Sequence, residues 1–237
     1  MLQYYRIADL TVAMDSFGRT VRQAEPYRID GTPKPDIRIT SNYSTLHERY
    51  PHLSEEVCEY LSTGDSFYRQ LLGYDGMLLH SSAVVVDGCA YLFTAPCGTG
   101  KSTHTKLWLQ VFGDRAQILN DDKPALRFVD DRFYAYGTPW SGKYDCSTNL
   151  RVPVAGICVL GRGEVNKIEP FSGFPAIHAI LEQTTRSKNA AFMERMLALL
   201  DTLLTTVPVW KMECNMDPEA ARMSYRAMSG NQKETEK

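Results

Sequence analysis

An α/β architecture around a mixed, partly antiparallel sheet with a P-loop is expected from three features of this 237-residue chain. The first is the order of segments at 89–112. An apolar, aromatic-rich run of strand length, "CAYLFTA", leads into the glycine-rich "PCGTGKST" and then into "STHTKLWLQVF", whose Leu107, Trp108, Val111 and Phe112 share one helical face. The second is Asp87-Gly88, which joins "SAVVV" to that strand. This dipeptide favours a tight hairpin because both positions tolerate positive φ, so the strand feeding the loop should pair antiparallel with its predecessor. The third is the alternation of strand-like and helix-like segments, separated by turn signals, through the rest of the chain.

Taken in order, residues 1 to about 40 offer short strand-like runs, "YYRIADLTVAM", "YRI" and "DIRIT", broken by the turn-rich "DGTPKPD". Ser54 is an N-cap signal with Glu55 and Glu56 in the first turn. It predicts a short helix through about Leu61, followed by a second short element in "GDSFYRQLLGYDG". Beyond the loop's helix, which Gly113 should stop, "AQILNDD" reads as a strand ending in two carboxylates. "ALRFV" and "RFYAY" form a hairpin across Asp130-Asp131, a pair that reads as a turn, and "VPVAGICVLGRGEVNKIEP" forms another. Helices at roughly 174–185 and 190–205, a strand in "VPVWKMECN" and a last helix from Asp217, with Pro218 at its first position, complete the reading. The expected division is a small strand-rich region at 1–75 packed on a core at 76–229, with a polar tail at 230–237 that should fray.

Composition excludes several classes. The net charge is −2 and neither half carries a basic block, so neither nucleic acid nor a membrane surface is an expected partner. The start lacks a basic stretch followed by an apolar one, and "MLALLDTLLTTVPVW" is interrupted by Asp201 and too short to span a bilayer, so a cytoplasmic protein is expected. The six cysteines are scattered, with no C-x-x-C pair and no histidine at ligand spacing, and read as reduced thiols. The apolar face of "AFMERMLALLDTLL" suits either the interior of one subunit or a homo-oligomer contact.

The chemistry concentrates in two places. In a P-loop, successive backbone N–H groups turn inward around an anion, and side chains would obstruct that turn. Here Cys97, Gly98, Thr99, Gly100, Lys101, Ser102 and Thr103 form the segment expected to hold ATP, with Lys101 as the cation and the Ser102 hydroxyl on Mg²⁺. Ala95 replaces the usual first glycine, a change tolerable if its φ stays negative. The helix that follows aims its free N–H groups at the phosphates. The second place is Asp121-Asp122, about twenty residues after Lys101, a spacing that accommodates one crossover helix and one strand. Phosphoryl transfer to a hydroxyl needs a carboxylate near the metal and a second to orient or deprotonate the acceptor. Adjacent carboxylates repel, which favours a metal between them and an upward-shifted pKa on one.

"LLHSSAVVVDGCAYLFTAPCGTGKST", "ILNDDKPALRF" and "YGTPWSGK" together resemble the catalytic domain of HPr kinase/phosphorylase, and more closely the small HPr-kinase-like proteins. The resemblance covers about 76–165 well and leaves 1–75 unmatched. ATP-dependent phosphoenolpyruvate carboxykinase is more distantly similar through its G-T-G-K loop and paired Asp. The resemblance implies that Lys101 contacts the β- and γ-phosphates, that Ser102 binds Mg²⁺, and that Asp121 and Asp122 share the metal and base roles, with Asp122 preferred on the metal and Asp121 preferred as base. It also implies that His80 stands beside the phosphates. Lys143, in "GTPWSGK", and Arg186, after "AIHAILEQTT", are the cations expected to steady the transferring group, with Arg151 and Arg162 as weaker choices. Cys97 stands where the family leads one to expect serine. A thiol there is either a near-isosteric replacement or, beside Lys101, a group of lowered pKa. His104 is expected to face outward or to touch phosphate or base, and Trp140 to anchor its loop or stack on adenine.

Three functions fit these residues. One is a Mg-ATP-dependent kinase acting on a serine hydroxyl of a protein or peptide; another is a kinase of a small hydroxyl-bearing metabolite; the last is a nucleotide-binding regulator without turnover. The retained Asp-Asp pair speaks against the last, since a binder has little use for a second carboxylate beside the metal.

Overall fold

The computed structural model describes residues 2–230, so the tail expected to fray lies, apart from Gly230, outside the described residues. The chain opens on a hairpin of β1 (Gln3–Ile7) and β2 (Leu10–Met14), turned at Ala8 and Asp9 with φ of 51° and 63°. Helix α1 (Gly18–Ala24) follows, then β3 (Ile37–Ile39), parallel to β2, and helices α2 (Tyr43–Arg49) and α3 (Glu55–Leu71). Ser54 caps α3 as its sequence predicts, accepting from the Val57 N–H at 3.3 Å.

A second, nine-stranded sheet forms the centre. It contains β4 (Gly76–Leu78), β5 (Ser81–Val86), β6 (Cys89–Thr94), then, after helix α4 (Lys101–Phe112), β7 (Ala116–Asn120), β8 (Ala125–Val129), β9 (Arg132–Tyr136), β10 (Arg151–Arg162) and β11 (Lys167–Pro170). Helices α5 (Gly173–Leu181) and α6 (Ala190–Thr206) precede β12 (Val209–Cys214), and α7 (Pro218–Met228) closes the chain. The order is β4-β8-β9-β10-β6-β5-β7, with β12 joining β10 to β11. The fold is therefore α/β with a mixed sheet: β5 is antiparallel to both β6 and β7, while β6 runs parallel to β10.

That arrangement positions the chemistry. Because β5 is antiparallel to both neighbours, the C-terminal ends of β6 and β7 and the start of β5 fall on one sheet edge. Every residue of β5 is buried, since the sheet is covered on both faces. Ala83 and Val85 pack with Leu199, Leu200 and Leu203 of α6, while Val84 and Val86 pack with Trp108 of α4 and Ala220 and Ala221 of α7. A third cluster joins the N-terminal sheet and α3 to Ala125, Tyr136 and Trp140.

Three expectations are corrected, and two helices appear that the sequence reading did not include. The helix from Ser54 does not stop near Leu61; α3 runs unbroken through "GDSFYRQL", and its mid-helix Gly64 lies where a Cβ would stand 3.0 Å from Trp140 Cδ1. Helices α1 and α2 have weak sequence signals: no side chain caps either one. "YRI" is no strand, as Tyr27 ends a 3-10 turn and Arg28 makes only an isolated bridge to Tyr5. Finally, 151–170 is not a hairpin, because β12 inserts between β10 and β11, parallel to the first and antiparallel to the second. The polar "KIEP", ending in proline, suits the outer edge, and the apolar β12 takes the inner place. No helix among the described residues is long and apolar enough to cross a membrane.

Candidate active site

The loop between β6 and α4 is shaped by its glycines. Gly98 and Gly100 have φ of 79° and 122°, and a Cβ at either would meet nothing within 4 Å, so backbone angle rather than space requires glycine there. Ala95 is buried and keeps a negative φ, the condition for alanine at that position. Thr99 ties the loop together, its N–H and hydroxyl both reaching the Pro96 carbonyl at 3.3 and 2.9 Å. No side chain caps α4 at Gly100, so its first N–H groups are left for an anion. Lys101 is buried and its ammonium donates to the Ala95 carbonyl at 2.9 Å. Burial pulls its pKa down, against the opposing pull of Cys97, Asp122 and Asp121. Arg162, at the end of β10, braces the loop through the Gly98 and Thr99 carbonyls at 2.5 and 3.3 Å. Cys97 and Thr103 are exposed and Ser102 is half-buried.

Beside the loop opens a cavity of about 390 Å³ with an apolar wall of Leu107, Leu160 and Met216. His104 does not face outward. It is 2 % exposed, accepts from Trp108 Nε1 at 3.3 Å and lies 3.1 Å from Ser224 Oγ. Burial brings its pKa down to about 4, which keeps the ring neutral. The cause is α7, whose packing on α4 encloses a helix face that the sequence leaves open.

At the end of β7, Asn120 shapes the turn that carries the carboxylates. Its buried side chain accepts from the Asp122 and Lys123 N–H groups at 2.9 and 2.7 Å and donates to Thr138. The Asp121 N–H donates to the Cys146 carbonyl at 3.0 Å, and Asp121 Oδ1 accepts from Ser82 Oγ at 2.5 Å. The Ser82 hydroxyl is 2.8 Å from Thr105 Oγ1 of α4, so one carboxylate is wired to the loop's own helix. Asp122 Oδ1 lies 3.2 Å from His80 Nε2, and its Oδ2 pairs with the Lys123 ammonium. His80 is in turn held by Gln183, through Nδ1 at 3.0 Å and its own N–H at 2.8 Å. The pKa of Asp122 moves opposite to the shift expected of a repelled carboxylate. Burial pushes it up, but the His80 hydrogen bond and the Lys123 charge outweigh that and hold it below the ordinary value.

The remaining expected residues divide. Gly142, with φ of 79°, comes so close that a Cβ there would stand 3.0 Å from Asp122 Cβ. Its N–H donates to Tyr60 Oη at 3.0 Å, and its carbonyl accepts from Gln23 Nε2 at 3.2 Å and from Arg19. The N-terminal region thereby presses the loop onto the carboxylate. Lys143, the next residue, is exposed with its ammonium 5.7 Å from the Tyr144 ring centre, and Lys123 occupies the place beside Asp122. Arg186 is exposed in the segment after α5, three residues beyond Gln183, and makes no ion pair among the described residues. Arg151 is engaged elsewhere, with Asp9 at 3.1 Å and over the Tyr134 ring at 4.0 Å. Trp140 is fully buried, stacked on Phe67 with centroids 4.8 Å apart, and donates to Thr63 Oγ1 at 3.3 Å, which makes it the anchor of its loop.

Ser82, Asn120, Lys123 and Gln183 were missed by sequence reasoning. Asn120 and Lys123 flank the Asp pair in "NDDK", and an Asn before such a pair is a turn signal in its own right. Among the described residues no three His, Cys, Asp or Glu side chains gather into a metal cage. A hydroxyl and two carboxylates near a glycine loop are nevertheless a donor set of the kind that suits Mg²⁺, a cation that takes oxygen ligands and keeps several waters.

No family model and no curated protein matches this sequence. Among solved structures, the HPr(Ser) kinase/phosphatase from Coxiella burnetii is similar at 14% identity and a TM-score of 0.37, over 63% of this chain and 96% of that one.

Proposed function

We propose that the protein is a Mg-ATP-dependent kinase that transfers the γ-phosphoryl group to a serine hydroxyl of a protein or peptide. The observation that carries this reading is the chain Asp121–Ser82–Thr105, which fastens a carboxylate to the helix that follows the glycine loop. A phosphate chain lying on the N–H groups of Gly98–Thr103 would take the Lys101 ammonium, now spent on the Ala95 carbonyl, as its counter-charge. The apolar cavity between Leu107 and Leu160 suits a nucleoside base. Ser102 and Asp122 would hold Mg²⁺, which when bound neutralises charge on the phosphates. Asp122, with its depressed pKa, is the better ligand; Asp121, oriented by Ser82 through one oxygen, takes the acceptor's proton through the other. Lys123, and Arg186 if its segment closes, supply positive charge near the transferring group.

The test is ATP labelled in its γ-phosphoryl group, with Mg²⁺ and a fractionated lysate, comparing wild type with Asp121→Asn. Label in protein phosphoserine that the variant loses supports the reading. Label only in small molecules replaces it with a metabolite kinase, and tight ATP binding without transfer replaces it with a regulator.

A further inference from the structure

The far side of the carboxylate turn holds a second, smaller cavity of about 140 Å³, between α3 and the residues around Lys123. Its inner walls are aromatic: Tyr60, Tyr68 and Trp140 are buried, and Gly64 lacks the Cβ that would push the indole away. Its rim is formed by Leu61, 40% exposed, and by Thr185, the neighbour of Arg186.

The charged groups around this space are already paired. The Lys123 ammonium is paired with Asp122, and Asp65 at the rim is paired with Arg69 at 2.6 Å. Tyr60 Oη accepts from the Gly142 N–H at 3.0 Å, and Tyr68 Oη donates to the Lys123 carbonyl. The Trp140 N–H is given to Thr63. A charged occupant would find no free counter-charge and would lose its hydration without compensation. An uncharged apolar group would lose nothing, and about 150 Å³ is the size of an engineered apolar cavity that binds benzene.

The location gives this cavity a purpose. Lys123 is at once a wall of the cavity and the ion-pair partner of Asp122, so an occupant lies within one residue of the reacting carboxylates. It also lies apart from the larger cavity at the glycine loop, with which it shares no lining residue.

We propose that this cavity receives one apolar, phenyl-sized side chain of the acceptor peptide, next to the serine whose hydroxyl meets Asp121, and so sets acceptor specificity. The inference rests on the kinase reading above. It assigns a role to the N-terminal region: α3 supplies most of the specificity pocket, and α1 and α3 press the Gly142 loop onto Asp122.

Two measurements on the full chain test it. In the first, a positional library of serine peptides is phosphorylated with γ-labelled ATP by wild type, Leu61→Trp and Thr185→Trp, with Asp121→Asn as the blank. Wild type should favour Phe, Leu or Met at one position beside the serine by tenfold or more, the discrimination an apolar pocket provides. Either tryptophan, closing the mouth from opposite sides, should bring that ratio towards one. In the second, toluene is titrated into ¹⁵N-labelled protein. It should shift the Trp140 indole resonance in wild type and leave it unmoved in Leu61→Trp.

No toluene-induced shift overturns the pocket whatever the enzyme does. Peptide labelling without an apolar preference, or with one that both variants retain, overturns the inference and leaves the kinase reading standing. A shift without labelling of any peptide by wild type overturns the peptide acceptor and the cavity's role in its recognition together.

Discussion

The loop between β6 and α4 is held mainly by its own neighbours, Lys101 on Ala95 and Thr99 on Pro96, with Arg162 as a brace from afar. The carboxylate turn at 120–123 is held from all over the chain. Ser82 meets Asp121, Gln183 acts through His80, Thr138 fixes Asn120, the Cys146 carbonyl takes the Asp121 N–H, and Tyr68 holds the Lys123 carbonyl. A short segment of glycines and small residues can carry its own shape, whereas two adjacent carboxylates stay fixed only where distant groups satisfy them. Substitutions far away in sequence should therefore disturb the carboxylates more than the loop.

The largest expected effect is local. Asp121→Asn should lower phosphoryl transfer by about 10²–10⁴-fold, the usual contribution of a positioned base, while nucleotide affinity stays within a few-fold; single-turnover rates and equilibrium binding measure the two. Trp140→Ala tests the remote support. Removing a fully buried, stacked indole should cost about 3–5 kcal/mol in urea unfolding and loosen α3 from the turn.

Two buried titrating groups should separate the regions by pH. Glu59 of α3 is fully buried, bonded to Thr20 with its Oε1 unpartnered, and burial pushes its pKa up to about 7. The folded chain keeps that proton from about pH 4.5 to about 7, where the unfolded chain has lost it, so this contribution to stability falls as pH rises through the window. Glu59→Gln should flatten that slope and raise stability at pH 8 by on the order of 2 kcal/mol, measured by urea unfolding at several pH values. His104, behind the loop, has the opposite sign. Its pKa falls to about 4, so its contribution is complete above about 6.5 and is lost as pH drops towards 4, which imidazole resonances can follow.

The smallest effects sharpen the comparison. Gly142→Ala strains a residue at φ of 79° and crowds Asp122, costing about 1–2 kcal/mol and lowering transfer with nucleotide binding unchanged. Arg162→Ala should do the reverse, weakening nucleotide binding by a few-fold while transfer at saturation stays within about twofold, because it removes roughly one charge-assisted brace.

Much of this was legible in the chain. "SAVVVDGCAYLFTA" specifies a hairpin because Asp-Gly accepts the required angles, and β5 and β6 pair across it as expected. The turn at Asp130-Asp131, with φ of 50° and 60°, and the cap at Asp217 follow from equally local chemistry. The insertion of β12 between β10 and β11 was not legible, since strand neighbours separated by some forty to fifty residues leave no local mark. Gly64 misleads in the other direction: as a residue of low helix propensity it suggests a break, but packing against Trp140 overrides it.

The sequence by itself determined the segments whose shape depends on backbone angles and near neighbours: the hairpin, the glycine loop, the helix behind it and the presence of paired carboxylates one strand later. Only the tertiary structure decided which cation stands at Asp122, that His104 is buried, that Trp140 serves as an anchor, and that α3 walls a pocket beside the site. Those outcomes depend on which distant surfaces meet. Burial and ion pairing are properties of the assembled interior, and the local periodicity of a chain does not encode them.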